Sequence, residues 1–153
     1  MNALPRREAA RAVILDTDQR VLLLRYEEND GFWATPGGSL EPGEDYPSAL
    51  RRELGEELGA TDITLGAQIA ERSQDHLVGG HPVRQVEKYW LVHATPAAID
   101  PARATQPDNI DSIRWWTLDE LLSTGERVYP RGLADLITDI LTTGAPEQPA
   151  VLG

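Results

Sequence analysis

Three glutamates and one arginine lie close together in a segment that is predicted to be helical. Glu53, Glu56 and Glu57 are spaced i, i+3 and i+4, so a helix places their carboxylates on one face. Like charges at this spacing weaken a helix, and Arg52 alone cannot neutralise three carboxylates. A hard divalent cation such as Mg²⁺ can, because it prefers oxygen ligands. The spacing therefore indicates a metal site, with a solvated acidic helix face as the alternative.

The residues just before this helix favour the metal site. Pro36, Gly37 and Gly38 allow unusual backbone angles and a close approach of the backbone to a ligand. A carbonyl oxygen of this loop is a further hard ligand for the same ion. Glu44, near the predicted start of the helix, is a fourth acid that can pair with Arg52 or favour the helix dipole. An acidic surface explains the glutamates but not the glycines and their positions.

The segment from Gly38 to Ala60 resembles the Nudix box, whose pattern is G-x5-E-x7-R-E-U-x-E-E-x-G-U with U aliphatic. Leu54 matches the first aliphatic position, and Ala60 is smaller than the residue usual at the last one. Chance is not a serious explanation, because each fixed residue type makes up only about 5–7% of average sequences. The fixed positions are all matched, by Gly38, Glu44, Arg52, Glu53, Glu56, Glu57 and Gly59.

The resemblance implies hydrolysis of a phosphoanhydride bond in a nucleoside diphosphate linked to a group X, with Mg²⁺, or alternatively Mn²⁺, as cofactor. It implies that Arg52 orients a glutamate and that Glu44 is a supporting or secondary ligand. It leaves open whether Glu53 binds metal or is the base that activates water. The implied metal ligands are Gly38, through its carbonyl, and Glu53, Glu56 and Glu57; these three glutamates and Arg52 are the implied catalytic residues.

The general base of this family lies in the box in some members and in a distant loop in others. Glu87 is next to Lys88, so the alternative to a general base is a surface ion pair between these two residues. Glu120 has a second explanation, because Thr117 and Glu120 have the spacing of a helix capping box. The candidates outside the box are Glu87, Asp108, Asp111 and Glu120.

The substrate is less well defined by the sequence. Sequence markers of members selective for ADP-ribose, dinucleoside polyphosphates, NADH or coenzyme A are absent, and residues 74–78 read Gln-Asp-His-Leu-Val. A nucleoside triphosphate is therefore favoured, with a nucleotide sugar or ADP-ribose as alternatives. The candidates for stacking on the base are Tyr26, Phe32, Trp33 and Tyr89, although each residue type is common in cores. Trp33 is favoured because it sits just before the glycine loop, and Tyr26 is the second choice. A non-catalytic nucleotide sensor and an RNA-processing enzyme remain alternative functions.

The elements that must position these residues alternate between strands and helices. Asp45–Leu58 is the strongest helix, with Asp45 as its N-cap and Gly59 at its C-terminus. The order predicts an α/β fold in which a mixed sheet is sandwiched between helices, α/β/α. We predict a polar extension over residues 1–9, a Nudix domain over 10–142 and a flexible tail over 143–153. Strands are predicted at 11–15, 20–25, 32–35, 63–72, 83–93 and 113–116, a second helix at 130–141, and irregular loops at 76–82 and 95–108.

Composition restricts the class of protein further. The chain has 153 residues and no cysteine, which excludes disulfides and thiolate chemistry. Its formal net charge of -11 disfavours a nucleic-acid polymer as partner. No apolar run reaches the roughly 18 residues of a membrane span, and no signal peptide is recognisable, so we expect a cytoplasmic enzyme without membrane contact. A homodimer is expected from the resemblance alone.

Overall fold

A computed structural model describes residues 4–107 and 109–153. This part of the chain contains three α-helices, α1 (Tyr46–Leu58), α2 (Leu118–Ser123) and α3 (Leu133–Thr143), and two 3₁₀ turns at Pro96–Ala98 and Pro101–Arg103. It also contains nine strands: β1 (Arg6–Leu15), β2 (Val21–Tyr26), β3 (Phe32–Ala34), β4 (Gly37–Ser39), β5 (Thr64–Val78), β6 (His81–His93), β7 (Ile110–Trp116), β8 (Val128–Tyr129) and β9 (Ala150–Leu152).

The strands form one mixed sheet with β1 near its centre. Its main path runs β8-β3-β2-β1-β6-β5-β9, while β4 pairs with β1 and β7 pairs with β2. β1 and β6 are parallel over ten residue pairs, whereas β1 and β4 are antiparallel. In the β1–β4 ladder Arg11 lies opposite Gly37. The sheet therefore brings the glycine loop of the box onto the central strand.

Helices cover both faces of this sheet. Leu50, Leu54 and Leu58 of α1 are fully buried against one face. Leu136 and Ile137 of α3 are buried against the other face. The α/β/α sandwich predicted from the sequence is confirmed.

The α1 helix begins and ends where its sequence predicts. The Asp45 carboxylate accepts a hydrogen bond of 2.8 Å from the Ser48 N–H, as an N-cap does. Gly59 ends the helix in the left-handed conformation with φ 59°. These two caps fix the register that places the glutamates of the box on one side of α1.

Both predicted terminal segments contain strands. The prediction of a polar extension over residues 1–9 is wrong for 6–9, because β1 begins at Arg6 and its parallel ladder with β6 starts there. In the predicted tail over 143–153, Ala150–Leu152 forms β9 and pairs with β5.

The predicted loop over 76–82 is also largely absent. β5 and β6 continue through it as an antiparallel hairpin. Gly79 and Gly80 form its turn, with φ 58° and 81°, and a two-residue hairpin turn with both φ positive favours glycine. None of the helices in residues 4–107 and 109–153 is long and apolar enough to cross a membrane.

Candidate active site

Arg52 organises the acidic face of α1. Its Nε and Nη2 atoms donate hydrogen bonds of 2.8 Å each to the two carboxylate oxygens of Glu44. This bidentate pair is the geometry that a guanidinium forms best with a carboxylate. It lowers the pKa of Glu44 to about 2, because the ionised form accepts both bonds. The pairing of Glu44 with Arg52 that the sequence suggested is confirmed.

The third nitrogen of the Arg52 guanidinium donates hydrogen bonds to two further carboxylates. Nη1 donates to Glu53 Oε1 at 3.0 Å and to Glu56 Oε2 at 3.2 Å. Burial nonetheless raises the pKa of Glu53, and the neighbouring Glu56 carboxylate acts in the same direction. One arginine therefore aligns three carboxylates without neutralising all of their charge.

Glu57 is held separately from the others. The Gly37 N–H donates a hydrogen bond of 2.8 Å to Glu57 Oε1. Burial raises the pKa of Glu57 to about 7, with the Glu53 charge adding to the effect, while the Gly37 N–H, the Arg11 charge and the Tyr26 hydroxyl oppose it. The Glu57 carboxylate is therefore desolvated. A cation bound beside it would stabilise its ionised form.

The two glycines of the loop lie against this acidic face. A side chain at Gly38 would place its Cβ 2.5 Å from Glu53 Oε1. A side chain at Gly37 would place its Cβ 2.0 Å from the carbonyl oxygen of Ala10. The absence of both side chains lets the loop backbone approach the carboxylates and the central strand.

The donor set suits a hard divalent cation. Glu53, Glu56 and Glu57 offer oxygens around a depression of about 300 Å³ that Arg52 and Gln106 also line. Among the described residues, no three histidine or acidic side chains already converge on one ion position. Mg²⁺ does not need such a cage, because it is usually held by one or two carboxylates together with water and substrate phosphates. The residues present therefore fit the ion that the box implies.

A larger cleft of about 680 Å³ is linked to these acids through Gly37, which accepts from the cleft residue Arg11 and donates to Glu57. Tyr26 and Phe32 line it with their rings stacked at 5.3 Å, and Tyr129 packs edge-on to Phe32 at 5.7 Å. Three arginines also line it, namely Arg11, Arg72 and Arg127. Aromatic faces and guanidinium groups are suited to the base and phosphates of a nucleotide.

Two of the sequence-based candidates for base stacking have different environments. Tyr26 lines the cleft, and its contact with a base stays a prediction. Trp33 is only 6% exposed and packs edge-on against Trp116 at 5.1 Å inside the core. The prediction for Trp33 is wrong because successive residues of β3 face opposite sides, and Phe32 is the one that faces the cleft.

Three of the candidate general bases outside the box accept hydrogen bonds from arginines. Glu87 accepts hydrogen bonds from Arg11 at 2.9 Å and Arg72 at 3.1 Å, so the pair with Lys88 suggested by the sequence is not the one that forms. Asp111 accepts from Arg25 at 3.3 Å. Asp108 lies outside the described residues.

Glu120 has the capping role that the sequence predicts. It completes the capping box of α2 with Thr117 and also accepts from Arg114 at 2.5 Å. Its carboxylate therefore accepts hydrogen bonds at the start of α2.

Several cleft residues were missed by the sequence-based reasoning. Arg72, Arg127 and Tyr129 are scattered along the chain and have no distinctive local pattern. The sequence did single out Arg11, because it is the only charged residue in the otherwise apolar segment from Ala9 to Leu15. A charged side chain at a central strand position indicates a specific partner or ligand.

Comparison with known proteins agrees with this arrangement. A family model described as the NUDIX domain matches residues 5–136. The chain is 32% identical to an RNA pyrophosphohydrolase of Rickettsia bellii, over 79% of this chain and 81% of the relative. It is 36% identical to a CTP pyrophosphohydrolase of Escherichia coli, over 42% of this chain and 49% of the relative. A NUDIX hydrolase from Nitrosomonas europaea has the same fold, with a TM-score of 0.67 at 22% identity over 92% of this chain and 91% of that chain. The chain belongs to the Nudix hydrolase family.

Proposed function

We propose that this protein is a metal-dependent pyrophosphohydrolase that cuts a phosphoanhydride bond of a nucleoside diphosphate-X substrate, with free nucleoside 5′-triphosphates favoured. The observation that carries the proposal is the connection of two sites through Gly37. The Gly37 N–H donates to Glu57, which lines the acidic depression, and the Gly37 carbonyl accepts from Arg11, which lines the aromatic cleft. A nucleotide with its base in the cleft would extend its phosphates toward the carboxylates.

The proposed reaction is a hydrolysis at phosphorus. Water adds to one phosphorus, the anhydride P–O bond breaks, and the departing phosphate oxygen keeps the bonding electrons. The water gives up a proton to a base, and a nucleoside triphosphate yields its monophosphate and pyrophosphate. A bound Mg²⁺ or Mn²⁺ ion would offset the charge of the phosphate oxygens and lower the pKa of water. It would be held mainly by Glu56 and Glu57, with the Gly38 carbonyl as a further oxygen ligand.

The protein itself supplies alignment. Arg52 bonds to Glu44, Glu53 and Glu56 at once, which restricts the rotamers of all three carboxylates. Ligands that are fixed before the substrate arrives lose less conformational entropy when the complex forms. Glu44, whose oxygens both bond to Arg52, is in our proposal a support for the site.

We assign the general base to Glu53. Its Oε1 atom accepts a hydrogen bond from Arg52, whereas within residues 4–107 and 109–153 its Oε2 atom accepts none. Glu87, Asp111 and Glu120 each bond to an arginine that is not part of the box, and none of the three lines the acidic depression. Because Glu56 and Glu57 are assigned to the metal, Glu53 is the box glutamate left to take a proton from a water molecule at the carboxylate cluster.

A second candidate substrate is an RNA with a 5′-triphosphate end. The relative from Rickettsia bellii is named for this activity, and the chemistry at phosphorus is the same. The net charge of -11 disfavours this candidate, because a polymer would meet repulsion beyond its first nucleotide. A non-catalytic sensor is disfavoured for a different reason, since such proteins often lose box glutamates and this chain keeps them all.

A substrate panel tests the proposal. Pyrophosphate and phosphate release would be measured for four nucleoside triphosphates, a nucleotide sugar, ADP-ribose, a dinucleoside polyphosphate and a short 5′-triphosphate RNA, each with Mg²⁺, Mn²⁺ or EDTA. We expect metal-dependent release of pyrophosphate, highest for free nucleoside triphosphates. Arg84→Met is a control, because Arg84 bonds to Asp75 in the exposed β5–β6 hairpin.

Each other outcome has a definite meaning. Faster turnover of the RNA would replace the favoured substrate with the second candidate. Hydrolysis that persists in EDTA would contradict the metal-dependent mechanism. No turnover of any compound by the folded protein would contradict the enzymatic proposal and support the sensor.

A further inference from the structure

We propose that Arg11 binds the substrate phosphate on the nucleoside side of the scissile bond, and that Glu87 positions Arg11 to do so. The inference rests on the proposed function, because it concerns a phosphate chain that runs from the aromatic cleft to the glutamates. It adds a substrate-binding residue that lies outside the box and well before it in the chain.

The Arg11 guanidinium is fixed at two of its three nitrogens. Nε donates to Glu87 Oε2 at 2.9 Å, and Nη1 donates to the Gly37 carbonyl at 2.9 Å. Nη2 donates to no acceptor among the described residues. A guanidinium is a planar group of five N–H donors, so fixing one part sets the direction of the rest. Arg11 therefore offers an oriented, unused donor pair.

The location of Arg11 corresponds to the path of the phosphates. Gly37 accepts a hydrogen bond from Arg11 through its carbonyl and donates one to Glu57 through its N–H. Arg11 and Glu57 are thus joined through a single residue. Arg11 also lines the cleft with Tyr26 and Phe32. A phosphate chain that leaves the aromatic rings for the box carboxylates would reach Arg11 on the way.

The other arginines of the cleft are less suited to this role. Arg72 donates through Nε to the Gly153 carbonyl, through Nη1 to Glu87 and through Nη2 to Gln74, so all three nitrogens are engaged. Arg127 bonds to the Gly31 carbonyl rather than to the glycines of the box. Arg11 is the one that combines a cleft position with a direct bond to Gly37, the residue just before the box.

The surroundings of Arg11 also favour an anionic ligand. Ala10 and Ala12 on either side are fully buried, and the Arg11 side chain is 27% exposed. Partial burial of a guanidinium costs desolvation free energy, which a neighbouring anion can offset. Glu87, at 13% side-chain exposure, also shares its charge with Arg72. The group of two arginines and one glutamate therefore has a net positive charge that a phosphate can neutralise.

A comparison of two ligand types tests the inference without turnover. The affinities of four nucleoside 5′-monophosphates and of the matching nucleosides would be measured in EDTA for the wild-type protein and Arg11→Met. We expect the variant to bind the monophosphates at least roughly 10-fold more weakly, as for the loss of a charged hydrogen bond. Nucleoside affinity should stay within about twofold, because the base contacts remain. Arg84→Met removes the same charge outside the cleft and should change neither.

Two conservative variants separate binding from positioning. Arg11→Lys keeps the charge but loses the planar group, so it should recover part of the monophosphate affinity. Glu87→Gln leaves Arg11 in place but releases it from its charged partner. It should weaken monophosphate binding by less than Arg11→Met does, with nucleoside binding unchanged. Thermal unfolding of each variant checks that the fold persists.

The outcomes distinguish this inference from the proposed function. Equal losses for nucleosides and monophosphates would show a structural role for Arg11 and overturn the inference, as would an unchanged monophosphate affinity. A wild-type protein that binds neither ligand type would also overturn it. If monophosphate binding depends on Arg11 but nothing is hydrolysed, the proposed function fails and the phosphate site stands.

Discussion

The backbone N–H of Gly37 donates a hydrogen bond of 2.8 Å to Oε1 of Glu57, which joins strand β4 to the last turn of α1. The contact needs a glycine at position 37, because φ is 135° there and a Cβ would lie 2.0 Å from the Ala10 carbonyl oxygen. At Gly38 the obstacle is different, since its Cβ would meet the carboxylate of Glu53. Gly37 therefore allows two strands to approach closely, and Gly38 leaves room for the Glu53 carboxylate.

Gly38→Ala should impair activity more than stability. The added methyl group displaces the Glu53 carboxylate, which is the end of a flexible side chain, so the fold can adapt. We expect kcat/KM for the best substrate to fall by roughly 10- to 100-fold, because the carboxylate leaves its position beside the metal ligands. Steady-state kinetics and thermal unfolding on the same preparation check this prediction.

Gly37→Ala provides the comparison, because its methyl group meets backbone atoms that cannot move aside. It should lower the melting temperature substantially more than Gly38→Ala does. Equal stability losses in the two variants would contradict the distinction between the glycines.

Glu57→Gln should abolish most of the activity while the fold remains. The substitution keeps the side-chain volume and an oxygen that can accept the Gly37 hydrogen bond, but removes the negative charge. We expect kcat to fall by at least roughly 100-fold, since a neutral amide is a poor ligand for a hard divalent cation. Isothermal titration with Mn²⁺ should show weaker metal binding in parallel. Near-normal turnover by this variant would contradict the assignment of Glu57 as a ligand.

The same substitution should stabilise the metal-free protein at neutral and higher pH. Burial raises the pKa of Glu57 to about 7, whereas an unfolded chain has the ordinary value of 4.5. A raised carboxyl pKa means that the folded state loses stability as the pH rises from about 4.5 to about 7. Glu57→Gln removes this cost, so its free energy of unfolding should exceed that of the wild type by on the order of 2 kcal/mol at pH 8.

Urea denaturation in EDTA at pH 4 and pH 8 measures the difference. At pH 4 the wild-type carboxyl is protonated in both states, and the two proteins should have similar stability. A wild-type protein that is the more stable at pH 8 would contradict the burial of an ionisable Glu57. Saturating Mg²⁺ should reverse the order at pH 8, because the ion binds the folded wild-type carboxylate.

The parts of the structure that follow from local sequence were predictable. The α1 helix has its cap residue, apolar stripe and terminal glycine within one continuous segment, and the observed helix lies within one residue of the predicted bounds. The Arg52–Glu44 pair also follows from this segment, because helix geometry and the preceding loop set the distance between the two residues.

Non-local contacts account for most of what the sequence did not reveal. Arg11 and Glu87 are 76 positions apart and meet only because β1 and β6 pair in parallel. The strand character of Arg6–Ala9 depends on the same pairing, since a polar segment carries no periodicity that favours a strand. The environments of Phe32 and Trp33 depend on which face of a three-residue strand meets the core, and so short a strand does not specify its face by pattern.

The neighbours Phe32 and Trp33 should therefore respond differently to truncation. Phe32→Ala removes a ring that is stacked on Tyr26 in the cleft, so KM should rise by roughly 5- to 100-fold with little change in kcat, as for the loss of a base-stacking residue. Trp33→Ala removes a buried ring that packs on Trp116 and should lower the free energy of unfolding by about 3–5 kcal/mol. Its KM, measured well below the melting temperature, should stay close to the wild-type value. Substrate-dependent kinetics and urea denaturation of both variants check the pair, and a raised KM for Trp33→Ala with unchanged stability would return Trp33 to the binding site.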